Sequence, residues 1–157
     1  MEEGQIQVPG EQKLWVKMFQ KILVPTDASE GSEEALEPAF ELAEKYDAEL
    51  HFFYVVDVKI GDTQDILSTL TGEFEEIGRN ATESMKEAAG ERGLEAVTEV
   101  QEGIPHRSIN EYVEENGIDL VVMGTHGRTG LDRVLVGSVT EKIVRTSEVP
   151  VMTVGRD

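Results

Sequence analysis

Five apolar runs punctuate the chain, and between them apolar residues recur at helical spacing. The run "QKILVPTD" (20–27) is short and ends in Pro25, Thr26 and Asp27, which reads as a buried strand entering a loop. In "ASEGSEEALEPAFELAEKYD", Ala35, Leu36, Ala39, Phe40, Leu42 and Ala43 share a helical face, with Ser29 or Ser32 as candidate N-caps. Pro38 lies inside that pattern and predicts a kink or a delayed start. "AELHFFYVVDV" (48–58) is too continuously apolar for a sheet with one wet face. Residues 61–92 place Ile66, Leu67, Leu70, Phe74, Ile77, Ala81, Met85 and Ala88 at helical spacing, with Gly72 and Gly78 as candidate breaks.

The second half continues the alternation. "LEAVTEVQEG" (94–103) alternates apolar and polar positions, as a strand nearer the sheet edge does. "PHRSINEYVEENG" (105–117) predicts a helix that turns Ile109, Tyr112 and Val113 inward and stops at Gly117. "IDLVVMG" (118–124) is a fully apolar strand, "SVTEKIVRTS" (138–147) a short helix and "VPVMTV" (149–154) a last strand. Strands alternating with helices in this way imply an α/β fold, a parallel sheet covered on both faces. Ligands of such sheets sit beyond the carboxyl ends of the strands. Two of those ends carry unusual residues, "PTD" after the first strand and "GTHG" after the fourth.

The segment between the fourth strand and the last helix is rich in bare backbone. Gly124, Gly127, Gly130 and Gly137 precede a helix that opens at Ser138. Glycine lets an anion approach the main chain, and the first N–H groups of a helix have no internal acceptor and carry partial positive charge. Together they can cradle a phosphate. A second reading stays open on the residues alone: Ser138 and Glu141 form S-x-x-E, a capping box that starts a helix without a ligand. Neither G-x-x-x-x-G-K-[ST] nor G-x-G-x-x-G occurs here, which excludes the P-loop and the dinucleotide fingerprint.

Composition narrows the partners. The 157 residues suit one core-bearing domain, with residues 1–19 as an N-terminal extension and 20–157 as the domain. In the extension, Leu14, Trp15, Val16, Met18 and Phe19 are candidates for packing against it. A formal net charge of −18 repels nucleic acid and anionic lipid, so neither is an expected partner. A solvated surface and the surface of a salt-loving host account equally well for that charge. Cysteine is absent, so disulfides and thiolate chemistry are excluded. No run has the length of a membrane span and no signal-peptide pattern opens the chain, so a cytoplasmic protein is expected. "NAT" (80–82) is read as a chance match to a glycosylation acceptor. The three scattered histidines do not form a metal cage, and His51 reads as an ordinary strand residue.

The spacing Gly124-x2-Gly127-x9-Gly137-Ser138 resembles the nucleotide-binding signature of the ATP-binding universal stress proteins. "KILVPTDASEGSEEAL", "GIPHRSINEYVEENGIDLVVMGTHGRTGL" and "LVGSVTEKIVRTSEVPVMTV" are similar to that family's opening, middle and end. The resemblance spans residues 20 to 155. It implies an open five-stranded parallel sheet of order 3-2-1-4-5, Rossmann-like, holding ATP at the ends of strands one and four. It implies that Pro25, Thr26 and Asp27 line the base and ribose and that the Val55 backbone meets the adenine edge. Met123 and Gly124 then flank base and sugar, and Gly127 admits the phosphates. Gly137, Ser138, Val139 and Thr140 offer them N–H and hydroxyl donors, with His126 and Arg128 as further loop contacts. It also implies Mg²⁺ or Mn²⁺ held mainly by the nucleotide's phosphates, and a homodimer formed through Val149–Val154. Thr125 stands where Ser is frequent in the family.

Phosphoryl transfer needs an oriented nucleophile as well as charge stabilisation, and no general base is evident. The sequence therefore favours a nucleotide-dependent regulatory module that signals to an unidentified protein partner, with at most slow hydrolysis. The alternative is a nucleotide-independent dimeric interaction or chaperone-like protein of the same fold. A nucleotide-activating enzyme ranks third, because "THG" (125–127) lacks the H-x-G-H pattern.

Overall fold

Each apolar run becomes a strand of one sheet in the computed structural model, which describes residues 18–58, 64–125 and 137–155. The elements are β1 (Lys21–Thr26), α1 (Glu30–Glu33), α2 (Leu36–Tyr46), β2 (Glu49–Asp57), α3 (Gln64–Glu91), β3 (Ala96–Gly103), α4 (Pro105–Asn116), β4 (Leu120–Gly124), α5 (Ser138–Thr146) and β5 (Val151–Val154). The five strands are ordered β3-β2-β1-β4-β5 and all neighbours pair in parallel. The strand inferred from residues 94–103 is an edge strand, as its alternation predicted. Among the described residues no helix is long and apolar enough to cross a membrane.

Strand side chains alternate between two apolar layers. Ile22, Val24, Leu50 and Phe52 pack with Ala39, Phe40 and Ala43 of α2 and Met85 and Ala89 of α3. Leu23, Phe53, Val121 and Met123 pack on the other face with Ile109, Tyr112 and Val113 of α4 and Ile143 of α5. Phe19 joins the first layer and meets Tyr46 edge-on at 5.2 Å, whereas Met18 is exposed. Leu14, Trp15 and Val16 lie outside the described residues.

Pro38 acts as anticipated. The first helical segment is split, α1 ending at Glu33 and α2 starting at Leu36. Pro38 is therefore third in α2, inside the first turn, where a helix leaves its N–H groups without partners in any case. Ser29 caps α1, its side chain accepting from the Ser32 N–H at 3.3 Å. Gly117 ends α4 in the left-handed conformation, φ 65°. Neither Gly72 nor Gly78 breaks α3, which runs unbroken for 28 residues. Gly78 has a packing role instead: a Cβ there would strike Cδ1 of the buried Tyr54 ring.

His51 is more than an ordinary strand residue. It is buried, with Nδ1 2.7 Å from the Tyr112 hydroxyl and Nε2 2.9 Å from Glu49 Oε1. A carboxylate only accepts, so Nε2 carries a proton, and in the neutral ring the Tyr112 hydroxyl donates to Nδ1. Burial, and then the charges of Glu99 and Glu49, push the Tyr112 phenol up to about 12. The group thus ties β2 to α4 at the amino-terminal end of the sheet, opposite the end that carries Gly124.

Gly78→Ala is expected to destabilise the protein by about 1–2 kcal/mol, the collision with Tyr54 outweighing a helix-propensity gain of about 1 kcal/mol. Gly90→Ala, where a Cβ meets nothing within 4 Å, is expected to stabilise by about 0.5–1 kcal/mol. Urea denaturation of the two variants checks both signs.

Candidate functional site

The order of strands reverses direction between β1 and β4. From β1 the connections lead outward through β2 to β3, and from β4 outward to β5. β1 and β4 pair only at Ile22 with Leu120 and Leu23 with Val121. Beyond those pairs each keeps its outer neighbour, β1 to Thr26 with Tyr54 and β4 to Gly124 with Val154. The carboxyl ends Val24–Thr26 and Val122–Gly124 are thus unpaired with each other, at the topological switch point where such sheets bind ligands.

A tight turn leaves β1 at this end of the sheet. The Thr26 Oγ1 accepts from the Ala28 N–H at 2.9 Å, and Asp27 Oδ1 accepts from the Ser29 N–H at 2.9 Å. Ala28 is held in the left-handed region, φ 68°. Ser32 Oγ donates to the Ser29 carbonyl at 2.9 Å, so its contact with Thr26 Oγ1, also 2.9 Å, takes its proton from Thr26. The turn sets α1 directly on the end of β4, where a Cβ on Gly124 would collide with the Gly31 carbonyl. Gly124 is therefore needed by helix packing, whatever ligand approaches. Gly31 and Ser32, which sequence reasoning did not place at the site, shape it from this side. Their signal was the small pair in "DASEGSEE", legible only once α1 is known to cross β4.

The helix α5 is docked on the same strand end. Thr140 Oγ1 donates to the Gly124 carbonyl at 2.9 Å, and the Gly137 N–H donates to the Thr125 carbonyl at 2.9 Å. Thr125 in turn donates its N–H to the Val154 carbonyl at 3.0 Å. The capping-box reading is corrected here. Gly137, not Ser138, is the N-cap, and Ser138 is already the first helical residue. Glu141 donates its N–H to Gly137 and pairs its side chain with Arg145 at 2.7 Å, with no side-chain cap on the helix. A box needs its Ser one position earlier. The first intrahelical bond is that of Glu141, and no described residue accepts from the N–H groups of Ser138, Val139 and Thr140. Such groups carry the positive end of the helix dipole.

The expected site residues thus lie on three elements: Pro25, Thr26 and Asp27 at the end of β1, Met123 and Gly124 at the end of β4, and Gly137 to Thr140 at the start of α5. Val55 lies on β2, and with Val139 it packs against the Leu23, Phe53, Met123 and Ile143 layer. Two side chains are less free than expected. Thr140 spends its hydroxyl proton on Gly124 and keeps only its N–H for an anion, and Thr26 spends its own on Ser32. Met123 is 5% exposed and belongs to the core. His126, Gly127, Arg128 and Gly130 lie outside the described residues. Among the described residues there is no group of three or more His, Cys, Asp or Glu that could hold a metal ion.

Residues 18–155 match the model of the universal stress protein family. The chain belongs to that family. The universal stress protein MJ0531 of Methanocaldococcus jannaschii is 40% identical over 143 residues, 87% of this chain and 82% of the relative. MJ0577 of the same organism is 34% identical over 156 residues, covering 88% and 96%. Its solved structure superposes with a TM-score of 0.81, covering 89% of this universal stress protein and 98% of the other. A universal stress protein family member of Arabidopsis thaliana, solved with AMP bound, shares the fold at a TM-score of 0.67 and 21% identity, covering 88% and 92%.

The Thr140 clamp gives this subsection its test. Thr140→Val keeps the shape but strands the buried Gly124 carbonyl, and is expected to destabilise by about 1–3 kcal/mol. Thr140→Ser keeps the hydroxyl and should retain most of the stability. Equal urea midpoints for the parent and Thr140→Val would remove the clamp from the account.

Proposed function

We propose that this chain is an ATP-binding universal stress protein domain that acts as a nucleotide-dependent regulatory module in a stress response. The observation that carries the reading is the trio of N–H groups at the start of α5, pinned beside the carboxyl end of β4, next to that of β1. Backbone donors at a helix N-terminus bind phosphate without needing a cation, which suits a chain of net charge −18. Asp27, whose Oδ1 already holds the turn, offers its carboxylate to ribose hydroxyls, and the Val55 backbone meets the base edge. Gly127 admits the phosphates, and His126 and Arg128 approach them from the loop. Mg²⁺ or Mn²⁺ comes with the nucleotide, bound mainly through its phosphate oxygens. An adenine nucleotide in a relative of the same fold is consistent with this assignment.

The module binds rather than turns over. The glycine-loop sequence 124–130 offers one Arg, one His and no evident general base, so hydrolysis is at most slow. ATP engages the 124–137 loop, whose ends are joined by the Gly137–Thr125 hydrogen bond, and a protein partner reads the surface so formed. Residues 20–157 form the domain and 1–19 an appended segment, and the cysteine-free composition suits the cytoplasm. β5 is an edge strand with Met152 exposed, and a second copy covers it through Val149–Val154 to give a homodimer.

ATP·Mg at 100 times its Kd should raise unfolding stability by about 2.7 kcal/mol. Gly137→Val and Gly127→Val should each abolish that shift while leaving the ligand-free melting temperature close to the parent's. Parent-like ATP shifts in both variants would refute the phosphate cradle. Sedimentation at dilute concentration should return a dimer, and a strict monomer would refute the β5 pairing.

A further inference from the structure

The sheet has a second edge, β3, which is eight residues long against four for β5. Within a strand, the N–H and C=O of one residue point to the same side, and successive residues alternate. The Leu50 N–H donates to the Glu95 carbonyl at 2.9 Å and the Val58 N–H to the Gly103 carbonyl at 3.2 Å, so the odd-numbered residues of β3 face β2. Ala96, Thr98, Val100 and Glu102 therefore turn their main-chain groups outward, and no described residue bonds to them. Such a row is a template for another strand.

Natural sheets blunt an edge with Lys, Pro or a bulge. β3 contains no Lys, Arg or Pro, and its register with β2 runs unbroken from Ala96 to Gly103. Its charges are all acidic. Glu95 and Glu102 are exposed, and Glu99 accepts from Gln101 Nε2 at 3.3 Å. Glu83 of α3 accepts from the Thr98 hydroxyl at 3.4 Å, and no Lys or Arg occurs between residues 93 and 106.

We propose that the β3 edge is a docking site for an extended, basic segment of a protein partner, which joins the sheet as a further strand. Main-chain hydrogen bonds hold such a segment and its side chains decide which segment is accepted. Charge selects the occupant here. A second copy of β3 laid on this edge would set carboxylates against carboxylates, which destabilises a strand pair, whereas Lys or Arg on an incoming strand meets Glu99 on one face and Glu102 on the other. Val97, 39% exposed on the Glu99 face, offers that strand an apolar contact. The inference goes beyond the nucleotide reading and does not depend on it.

The probe is a capped peptide of alternating Lys and Val, matched to β3 in length and titrated into the ¹⁵N-labelled full chain. Amide shifts should centre on Ala96, Thr98, Val100 and Glu102, and a peptide of alternating Glu and Val should cause none. Thr98→Pro keeps every charge and removes one outward donor, a change that an edge strand tolerates when the lost N–H faces solvent. It should weaken the Lys peptide roughly 10-fold. Glu99→Gln combined with Glu102→Gln leaves the backbone untouched and should weaken it about 3- to 30-fold, the range for two cross-strand charge pairs. Shifts centred elsewhere, no shifts, or equal binding of the Glu peptide would overturn the proposal. Parent-like affinity in the Glu double variant, or in a folded Thr98→Pro, would overturn it too.

Discussion

Two hydrogen bonds fix where α5 begins. Thr140 Oγ1 holds the Gly124 carbonyl and the Gly137 N–H holds the Thr125 carbonyl, so the helix start is tied to the last residues of β4. Without this tie the N–H groups of Ser138, Val139 and Thr140 would be an ordinary frayed helix end. With it, they keep a fixed position relative to the sheet. A preorganised donor set binds an anion without an ordering cost at the moment of binding. The same tie consumes the hydroxyl of Thr140, so at that residue only the backbone N–H is left for the proposed anion.

The clamp sits where the ladder between the two central strands ends. The β1–β4 ladder stops at Leu23 and Val121, and beyond it each strand end is held from outside, by β2 and by β5. One side of these ends is closed by α1, whose Gly31 carbonyl rests against Gly124 and whose Ser32 hydroxyl receives the proton of Thr26. The other side carries the start of α5. The left-handed Ala28 and the Asp27–Ser29 hydrogen bond are what turn the chain sharply enough to bring α1 across. Backbone strain at such a position persists only where its surroundings hold it.

Most of the fold was legible because burial imposes periodicity. Continuous apolar runs identified buried strands, and the alternating 94–103 run marked the edge that β3 occupies. Gly117 as a helix stop and Pro38 as a delayed start follow from backbone chemistry and were found where expected. The glycines of α3 were misjudged because helix propensity is local, whereas Gly78 answers to Tyr54 on a distant strand. The capping box failed for a similar reason. S-x-x-E is a pattern of spacing, and only the docking of Gly137 onto Thr125 decides which residue becomes the cap. His51 and Gly31 have roles set by partners far away in sequence, and no local pattern announces them. The site's strand and helix ends were readable from its glycines and from family resemblance, while the commitment of the Thr26 and Thr140 hydroxyls required the fold.

The functional account therefore comes down to three amides. A family defined by its sheet supplies the place, the clamp supplies the position, and an acidic chain leaves backbone dipoles as the means of holding a phosphate. Amide ¹H–¹⁵N correlation spectra recorded during an ATP·Mg titration test this most directly. The largest shifts should fall on Ser138, Val139 and Thr140, saturating together with those near Asp27. Shifts that leave these three amides unmoved while ATP binds elsewhere, or a titration with no shifts at all, would contradict the account.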